Sequence, residues 1–321
     1  MKVVSLFSGA GGLDLGFKEA GHEIIWANDN FKDAVETYKI NIGEHIHYGD
    51  ITKIPSSDVP DHDILIGGFP CQGFSIANTK RGGDDERNKL YLELLRILND
   101  KKPKFFVAEN VKGILSLSKG EIFQMIINDF EEAGYIVKYK VLNAADYGVP
   151  QRRQRVIIIG VRKGIDYDIV HPQATHSESN IDLESWVSVG KALKNIPEPE
   201  DEHLLSNHTY SKFKLKFNGY IGNRLIDPDR PAPTVTARGD EKGGVVVLHH
   251  PNNHRRMSGR ELALVQSFPT NFVFYGPNSS VYRQIGNAVP PLLAKAIASV
   301  FPLQLNEHYN DTNTNKAISI I

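Results

Sequence analysis

The chain contains a single cysteine, Cys71, among its 321 residues. One cysteine cannot form an intramolecular disulfide, and it cannot supply a thiolate zinc site by itself. The 12 histidines show no H-E-x-x-H pattern or comparable ligand spacing, so we expect no bound metal ion. The sequence therefore leaves Cys71 as either a buried packing residue or a nucleophile.

Long hydrophobic runs and a strong net charge are also absent. No apolar stretch approaches the roughly eighteen residues of a membrane span, and no signal-type segment opens the sequence. We therefore expect a cytoplasmic protein that does not bind a membrane. The net charge of −1 does not by itself indicate a nucleic-acid binder, although QRRQRVIIIGVRK at 151–163 lacks any acid. Such a basic stretch is either a phosphate-binding face or a solvated surface.

The first 165 residues alternate between short apolar runs and amphipathic stretches. The alternation predicts an α/β fold with an open, doubly wound, mostly parallel sheet. The helical spacing of apolar residues predicts helices at LDLGFKEAG, DAVETYKIN, LYLELLRILNDKKP and EIFQMIINDFEEAG. Strands are predicted at KVVSLF, EIIWAND, DILIGGF, KFFVAEN and RVIIIGV.

The pattern changes after residue 163. The following region is polar, and VSVGKALKNI is its one predicted helix before residue 230. Regular spacing returns with SGRELALVQSF, where Ser258 and Glu261 form a capping-box pattern, and with PPLLAKAIASVF. We expect residues 164–282 to form a small irregular domain, residues 283–305 to complete the first domain of residues 1–163, and the polar tail 306–321 to be disordered.

Small and acidic residues follow consecutive predicted strands at one edge of the sheet. The glycine turn of FSGAGGLDLGF follows the first strand, Asp29 ends the second, and Asp50 follows in GDI. Ligands of doubly wound sheets bind beyond the carboxyl ends of the strands, where an acid can accept hydrogen bonds from ribose hydroxyls. Because the glycines do not follow G-x-G-x-x-G, a nucleoside cofactor without a pyrophosphate is favoured over a dinucleotide. A nicotinamide oxidoreductase remains the alternative, but it gives Cys71 no role.

Cys71 lies in GGFPCQGFS, directly after the third predicted strand and at the same sheet edge. A structural cysteine would normally lie inside an apolar element, whereas the thiolate of a reactive one needs a more polar site. Glu109 in ENV follows the next strand. A thiol, a carboxylate and an arginine cluster beside a nucleoside site indicate a catalytic centre.

At this point the sequence resembles a known family, the cytosine-C5 DNA methyltransferases of bacterial type II restriction–modification systems. The resemblance covers most of the chain outside 164–228 and the tail. It rests on motifs that follow one another in the family's order: FSGAGGLDLGF, ND at 28–29, GDI, GFPCQGFS, ENV, QRRQR, RPAPTVTA and QIGNAVP.

The resemblance implies a Rossmann-like fold that uses S-adenosylmethionine as methyl donor and duplex DNA as substrate, with no metal. Residues 164–282 would then recognise the target sequence. The cofactor would be bound by Phe7, Gly9, Gly11, Gly12, Leu13, Asp29, Asn30, Asp50, Ile51, Pro70, Asn287, Ala288 and Val289.

The resemblance also implies the catalytic residues. Cys71 would add to C6 of a flipped-out cytosine, Glu109 would contact its N3 and exocyclic amine, and Arg153 and Arg155 would lie near the base. The contacts to DNA would come from Ser75, Thr234, Lys212, Lys214 and Lys216. We expect a monomer, linked in function to a cognate restriction endonuclease against which it protects host DNA.

The sequence departs from the family at two positions. Asn30 stands where an aromatic residue often stacks on adenine, with Phe31 one place later, and Asp29 replaces the more usual glutamate. Asn88 stands where glycine is common. In the recognition region, packing or surface roles are favoured over base reading for His208, Tyr210 and Asn223.

Two alternatives stay open from the sequence. One is an RNA-directed relative with the same chemistry, and the other is a regulator that keeps the fold without catalysis. Cys71 and Glu109 argue against the regulator.

Overall fold

The computed structural model describes residues 1–69, 86–209, 226–237, 248–252 and 255–305. Several residues singled out in the sequence lie outside this part. They are Pro70, Cys71, Ser75, Tyr210, Lys212, Lys214, Lys216, Asn223, the side chain of Asn88 and the tail 306–321.

A seven-stranded sheet forms the centre of the molecule, with strand order β3-β2-β1-β4-β5-β7-β6. Strands β1 to β5 pair in parallel, whereas β7 runs antiparallel to both β5 and β6. The predicted mostly parallel, doubly wound sheet is confirmed. The strands are β1 (Lys2–Leu6), β2 (Glu23–Asp29), β3 (Ile46–Tyr48), β4 (Ile64–Gly67), β5 (Phe105–Val111), β6 (Tyr135–Asn143) and β7 (Gln154–Arg162).

Helices cover both faces of the sheet, and successive strand residues point alternately to the two faces. Val3 of β1 packs with one helix pair, α1 (Gly12–Glu19) and α8 (Pro291–Ala298). Val4, the next residue, packs with the other pair, α3 (Glu86–Lys101) and α4 (Glu121–Glu132). A further helix, α2 (Lys32–Asn41), packs on β2 near the end of the sheet.

The region between β7 and α8 has little regular structure among its described residues. It contains two short paired strands, β8 (His176–Ser177) and β9 (Glu184–Ser185), and three helices, α5 (Val189–Leu193), α6 (Gly259–Val265) and α7 (Asn278–Asn287). Its apolar cluster includes Ala10, which belongs to the turn after β1. The region is thus packed directly against the sheet edge where a site is predicted.

Local signals in the sequence explain several of these elements. Ser258 and Glu261 form the predicted capping box at the start of α6, each side chain bonding the other's backbone N–H. The helix predicted at VSVGKALKNI is shorter, because only α5 forms there. Within the described ranges, no helix has the length and apolarity needed to cross a membrane.

Candidate functional site

A cavity of about 350 Å³ opens at the carboxyl ends of β1, β2, β4 and β5. This is the edge at which the sequence predicts a site. The predicted residues that line it are Phe7, Gly9, Gly12, Leu13, Asp29, Asn30, Asp50, Ile51, Glu109, Arg153, Arg155, Asn287, Ala288 and Val289. Most of the predicted cofactor residues and three of the four predicted catalytic residues are therefore brought together.

The turn after β1 owes its shape to left-handed backbone. Gly9 has φ of 55° and Gly11 has φ of 84°, values that glycine adopts without strain. A Cβ on Gly9 would meet no atom of the described residues, so these leave open space beside it. Gly11 does not line the cavity, because its Cα faces Tyr38 and Ile42 of the neighbouring α2 region. The absence of a side chain at Gly11 allows the turn to pack closely against these two residues.

The carboxylate of Asp29 holds this turn against the end of β2. Its Oδ2 accepts the backbone N–H of Gly9 at 2.8 Å, and its Oδ1 accepts that of Phe31 at 2.8 Å. Burial raises the pKa of the Asp29 carboxyl, while these hydrogen bonds and the charge of Arg283 act in the opposite direction. Asp29 therefore fixes two segments of the cavity wall at once.

The aromatic ring that lines the cavity beside Asp29 belongs to Phe31. Asn30 is exposed at the cavity, whereas the ring of Phe31 is half-buried and lines it. The guanidinium carbon of Arg283 in α7 lies 4.5 Å from the centroid of this ring, a cation–π distance. The aromatic ring on this cavity wall thus belongs to Phe31, one residue after position 30.

The segment after β3 closes this end of the cavity. The Nδ2 of Asn28 donates to the carbonyls of His47 and Gly49, both at 3.0 Å. Asp50 caps the following turn, since its Oδ1 accepts the backbone N–H of Thr52 at 3.0 Å. Its neighbour Ile51 is buried and contributes an apolar surface.

Asp14 is a buried acid that the sequence reasoning missed. It lies in the first turn of α1, lines the cavity and is fully buried. Its two oxygens accept hydroxyl hydrogen bonds from Ser5 and Tyr38, each at 2.9 Å. Burial raises the pKa of Asp14 to about 7, and the two hydrogen bonds only partly oppose this. A charged residue among the apolar positions of LDLGFKEAG was the available signal.

Glu109 and Arg155 form an ion pair at the other end of the cavity. The Nε of Arg155 lies 2.7 Å from Oε1 of Glu109. The antiparallel pairing of β5 and β7 sets Val111 opposite Arg155, which brings the two side chains to the same edge. A Cβ on Gly68 would lie only 2.9 Å from Oε2 of Glu109, so glycine makes room for the carboxyl group.

The chain leading to Cys71 leaves the described structure beside this ion pair. Gly67, the last residue of β4, pairs with Ala108 of β5. Two residues later, the carbonyl of Phe69 accepts a hydrogen bond of 2.9 Å from Nδ2 of Asn110. Phe69 is buried and lines the cavity. The strand ends that carry Glu109 and precede Cys71 are therefore adjacent.

Arg153 is 1% exposed, and its two terminal nitrogens donate hydrogen bonds to backbone carbonyls. Nη1 donates to Val235 at 2.8 Å, and Nη2 donates to Gly286 at 2.8 Å and to Ala288 at 2.9 Å. Burial and the nearby charge of Arg155 lower the pKa of Arg153, against the opposite effect of Glu109. Nε is its one nitrogen without a hydrogen-bond partner in the described part of the chain.

Of the residues singled out in the predicted recognition region, Thr234 and His208 lie within the described part of the chain. The hydroxyl of half-buried Thr234 donates to the carbonyl of Arg152 at 2.8 Å. His208 is buried, with its ring nitrogens 2.7 Å from the Ser258 hydroxyl and 2.8 Å from the Pro197 carbonyl. The packing role favoured for His208 is confirmed.

The GNAV turn brings the end of the chain back to the cavity. A Cβ on Gly12 would overlap the carbonyl of Val289, so the turn lies directly on the start of α1. A Cβ on Gly16 would likewise overlap Ala294 of α8. These close approaches hold α8 beside α1, and they place Asn287, Ala288 and Val289 at the cavity.

Comparison with known proteins agrees with this arrangement. The chain is 43% identical to the type II methyltransferase M.NgoFVII of Neisseria gonorrhoeae, over 94% of this chain and 87% of that protein. It is 41% identical to M.FnuDI of Fusobacterium nucleatum, over 93% of each. A crystal structure of a prophage-encoded DNA modification methyltransferase from E. coli superposes with a TM-score of 0.71 at 27% identity, covering 94% of this chain and 98% of that one.

The model of the C-5 cytosine-specific DNA methylase family matches residues 1–301. This range includes the whole sheet and every wall of the cavity. The protein therefore belongs to the C-5 cytosine-specific DNA methylase family.

Proposed function

We propose that this enzyme transfers a methyl group from S-adenosylmethionine to C5 of a flipped-out cytosine, within a specific short sequence of duplex DNA. One observation carries the proposal. A single cavity joins the wall formed by Asp29 and Phe31 to the Glu109–Arg155 ion pair. A cofactor held at the first end would present its reactive group to a base held at the second.

The residues of the cavity fit S-adenosylmethionine. Open space over Gly9 leaves room for the cofactor against the backbone of the first turn. The Asp29 carboxylate is placed at the end of β2 to accept ribose hydroxyls, and the ring of Phe31 offers a flat surface for adenine. The remaining contacts would come from Asp50, Ile51, Pro70, Asn287, Ala288 and Val289. When bound, the cofactor supplies an electrophilic methyl group.

The other end of the cavity would activate the cytosine. C5 is a poor nucleophile until the Cys71 thiolate adds to C6 and transfers electron density onto C5. Glu109, oriented by Arg155, would bind N3 and the exocyclic amine, which makes C6 more electrophilic. The Nε of Arg153 and the guanidinium of Arg155 would stabilise the negative charge that develops on the ring.

The remaining steps restore the aromatic ring. Once C5 carries the methyl group, a base removes the C5 proton, the C5–C6 double bond reforms and the thiolate leaves. The thiolate is thereby regenerated, and the net change is one methyl group gained and one proton lost by cytosine. C6 is reached from above the ring, so the base must leave the stacked duplex.

DNA recognition is assigned to residues 164–282, with residues 1–163 and 283–305 forming the catalytic and cofactor-binding domain. Ser75, Thr234 and the basic residues Lys212, Lys214 and Lys216 would contact the DNA backbone, which fixes register but not sequence. We further propose that the enzyme acts as a monomer and protects host DNA from a cognate restriction endonuclease.

Covalent trapping tests the proposal. A long duplex made with 5-fluorodeoxycytidine in place of deoxycytidine contains every short recognition sequence, and the fluorine cannot leave as a proton. With S-adenosylmethionine, the wild-type protein should form an adduct that survives denaturation, and Cys71→Ala should form none. A wild-type protein that binds both ligands but forms no adduct would contradict the mechanism. An adduct with an equivalent RNA alone would redirect the substrate to RNA.

A further inference from the structure

Three buried polar side chains meet between the sheet and the last part of the chain. Gln151 and Gln266 are 0% exposed and Arg153 is 1% exposed. The Nε2 of Gln151 donates to Oε1 of Gln266 at 2.6 Å, which links residues separated by 115 positions. We call Gln151, Arg153 and Gln266 the buried junction.

On one side, the junction holds both backbone polar groups of Val235. The N–H of Val235 donates to Oε1 of Gln151 at 2.8 Å, and its carbonyl accepts from Nη1 of Arg153 at 2.8 Å. Val235 directly follows Thr234, which is assigned above to the DNA backbone. The position of that segment is thus set by two side chains of QRRQR, the segment that leads into β7.

On the other side, the junction holds the turn that closes the cofactor end of the cavity. Ala288 offers its carbonyl to Nη2 of Arg153 at 2.9 Å and to Nε2 of Gln266 at 3.3 Å. Gln266 also donates to the Ile285 carbonyl at 2.6 Å. The two held segments touch, since a Cβ on Gly286 would overlap the backbone of Thr236.

We infer that the buried junction couples the methyl-donor site to the DNA-contacting segment. This inference rests on the proposed function. A buried amide or guanidinium that loses a partner bears its full desolvation cost, so the two segments are stable together only in matched positions. A cofactor that orders residues 287–289 therefore favours the position of Thr234 that DNA requires. By linkage, DNA raises cofactor affinity by the same factor.

The chain offers a matched control for the loss of a buried arginine. Arg260 is 0% exposed and also donates to three carbonyls, those of Ser206, Pro269 and Phe272. None of these belongs to the cofactor turn or to the Val235 segment. Arg260→Lys should therefore cost stability as Arg153→Lys does, but without affecting the coupling.

The test measures the dissociation constant of S-adenosylhomocysteine by calorimetry, with and without saturating duplex DNA. This DNA contains the recognition sequence, as identified by bisulfite sequencing. The ratio of the two constants is the coupling factor, and factors of about 5 to 150 are typical of linked sites. We expect the wild type and Arg260→Lys to share one factor in this range. In Gln266→Met the factor should fall towards one while each ligand still binds by itself, because Gln266 does not line the cavity. Arg153→Lys should lower the factor in the same direction.

Other results would overturn the inference. It fails if the wild-type factor is one, if the junction variants keep the wild-type factor, or if Arg260→Lys loses it equally. Gln266→Met keeps the test available should Arg153→Lys not fold. Failure of the proposed function looks different, because the wild type would then fail to bind S-adenosylhomocysteine by itself or duplex DNA by itself, and no factor could be measured.

Discussion

Arg155 donates from Nε to Oε1 of Glu109 at 2.7 Å, and each side chain is 11% exposed. The contact crosses from β7 to β5, so it depends on the antiparallel pairing of these two strands. Its effect is to fix the plane of a carboxyl group beside the segment that leads to Cys71. Glu109 is thereby a pre-oriented group rather than a mobile one.

Glu109→Gln should lower the rate of methyl transfer by about 10² to 10⁴ while leaving binding of S-adenosylhomocysteine unchanged. The amide keeps the size of the side chain but loses the ion pair and the carboxyl group at N3. Single-turnover kinetics and calorimetry measure the two effects. Glu184→Gln, at an 81% exposed side chain, is the control. A near-normal rate in Glu109→Gln would remove this residue from the mechanism.

Asp29→Asn should weaken binding of S-adenosylhomocysteine by about 10- to 100-fold. The amide cannot accept both backbone N–H groups of Gly9 and Phe31, and hydrogen bonds to a charged group contribute about 1.5–3 kcal/mol. Asp63→Asn is the matched control, since Asp63 accepts the backbone N–H of Lys2 at 2.9 Å and lies outside the cavity lining. Equal losses of affinity in both variants would show that the effect is not local to the site.

The Asp14 carboxyl should make stability depend on pH. Burial raises its pKa from 3.8 to about 7. Between these two pH values, the folded protein keeps a proton that the unfolded chain has released. The contribution of the Asp14 carboxyl to the free energy of unfolding is complete below the pKa of the unfolded chain. It is lost as the pH rises to the pKa of the folded protein. We expect the free energy of unfolding, measured with urea, to fall between about pH 5 and pH 7 by roughly 2 kcal/mol more in the wild type than in Asp14→Asn. Parallel profiles would contradict this, and Asp61→Asn, at a 95% exposed carboxyl, should match wild type.

Gly16→Ala should destabilise the fold by about 1–3 kcal/mol, although alanine is normally the better helix former. The added methyl group would overlap Ala294 and force α1 away from α8. Gly113→Ala is the control, because a Cβ there meets no atom in the described part of the chain. Chemical denaturation compares the two variants. If Gly16→Ala unfolds with the same free energy as the wild type, α1 and α8 can move apart without loss of stability, which would contradict this prediction.

The buried parts of the fold were predictable because their patterns are strong. Five strands with continuous apolar runs were predicted, whereas β6 was not, because its YIVKYKVLN is an edge strand with alternating lysines and few buried residues. Three-residue β3 is too short to leave a pattern. The helix α7 was also missed, since SSVYRQIGN buries only Val281 and Ile285 among its large apolar residues.

The site was predictable where motifs carry it and not where tertiary contacts do. The glycine turn, Asp29, Glu109 and Arg155 lie in segments whose order follows that of the family motifs. Gln266 was missed because its partners, Gln151 and Ala288, come from segments distant in sequence that meet only in the fold. Gly11 packs closely against Tyr38 and Ile42, a contact that the sequence does not reveal, and its role at the cofactor stays a prediction.

The proposed reaction is methylation of cytosine at C5 through Cys71. Bisulfite sequencing of a plasmid expressed with the protein in a host without DNA methylation tests it most directly. We expect protected cytosines within one recurring short sequence for the wild type, and none for Cys71→Ala produced at the same level. An unprotected plasmid with wild-type protein that binds S-adenosylmethionine, or equal protection by Cys71→Ala, would contradict it.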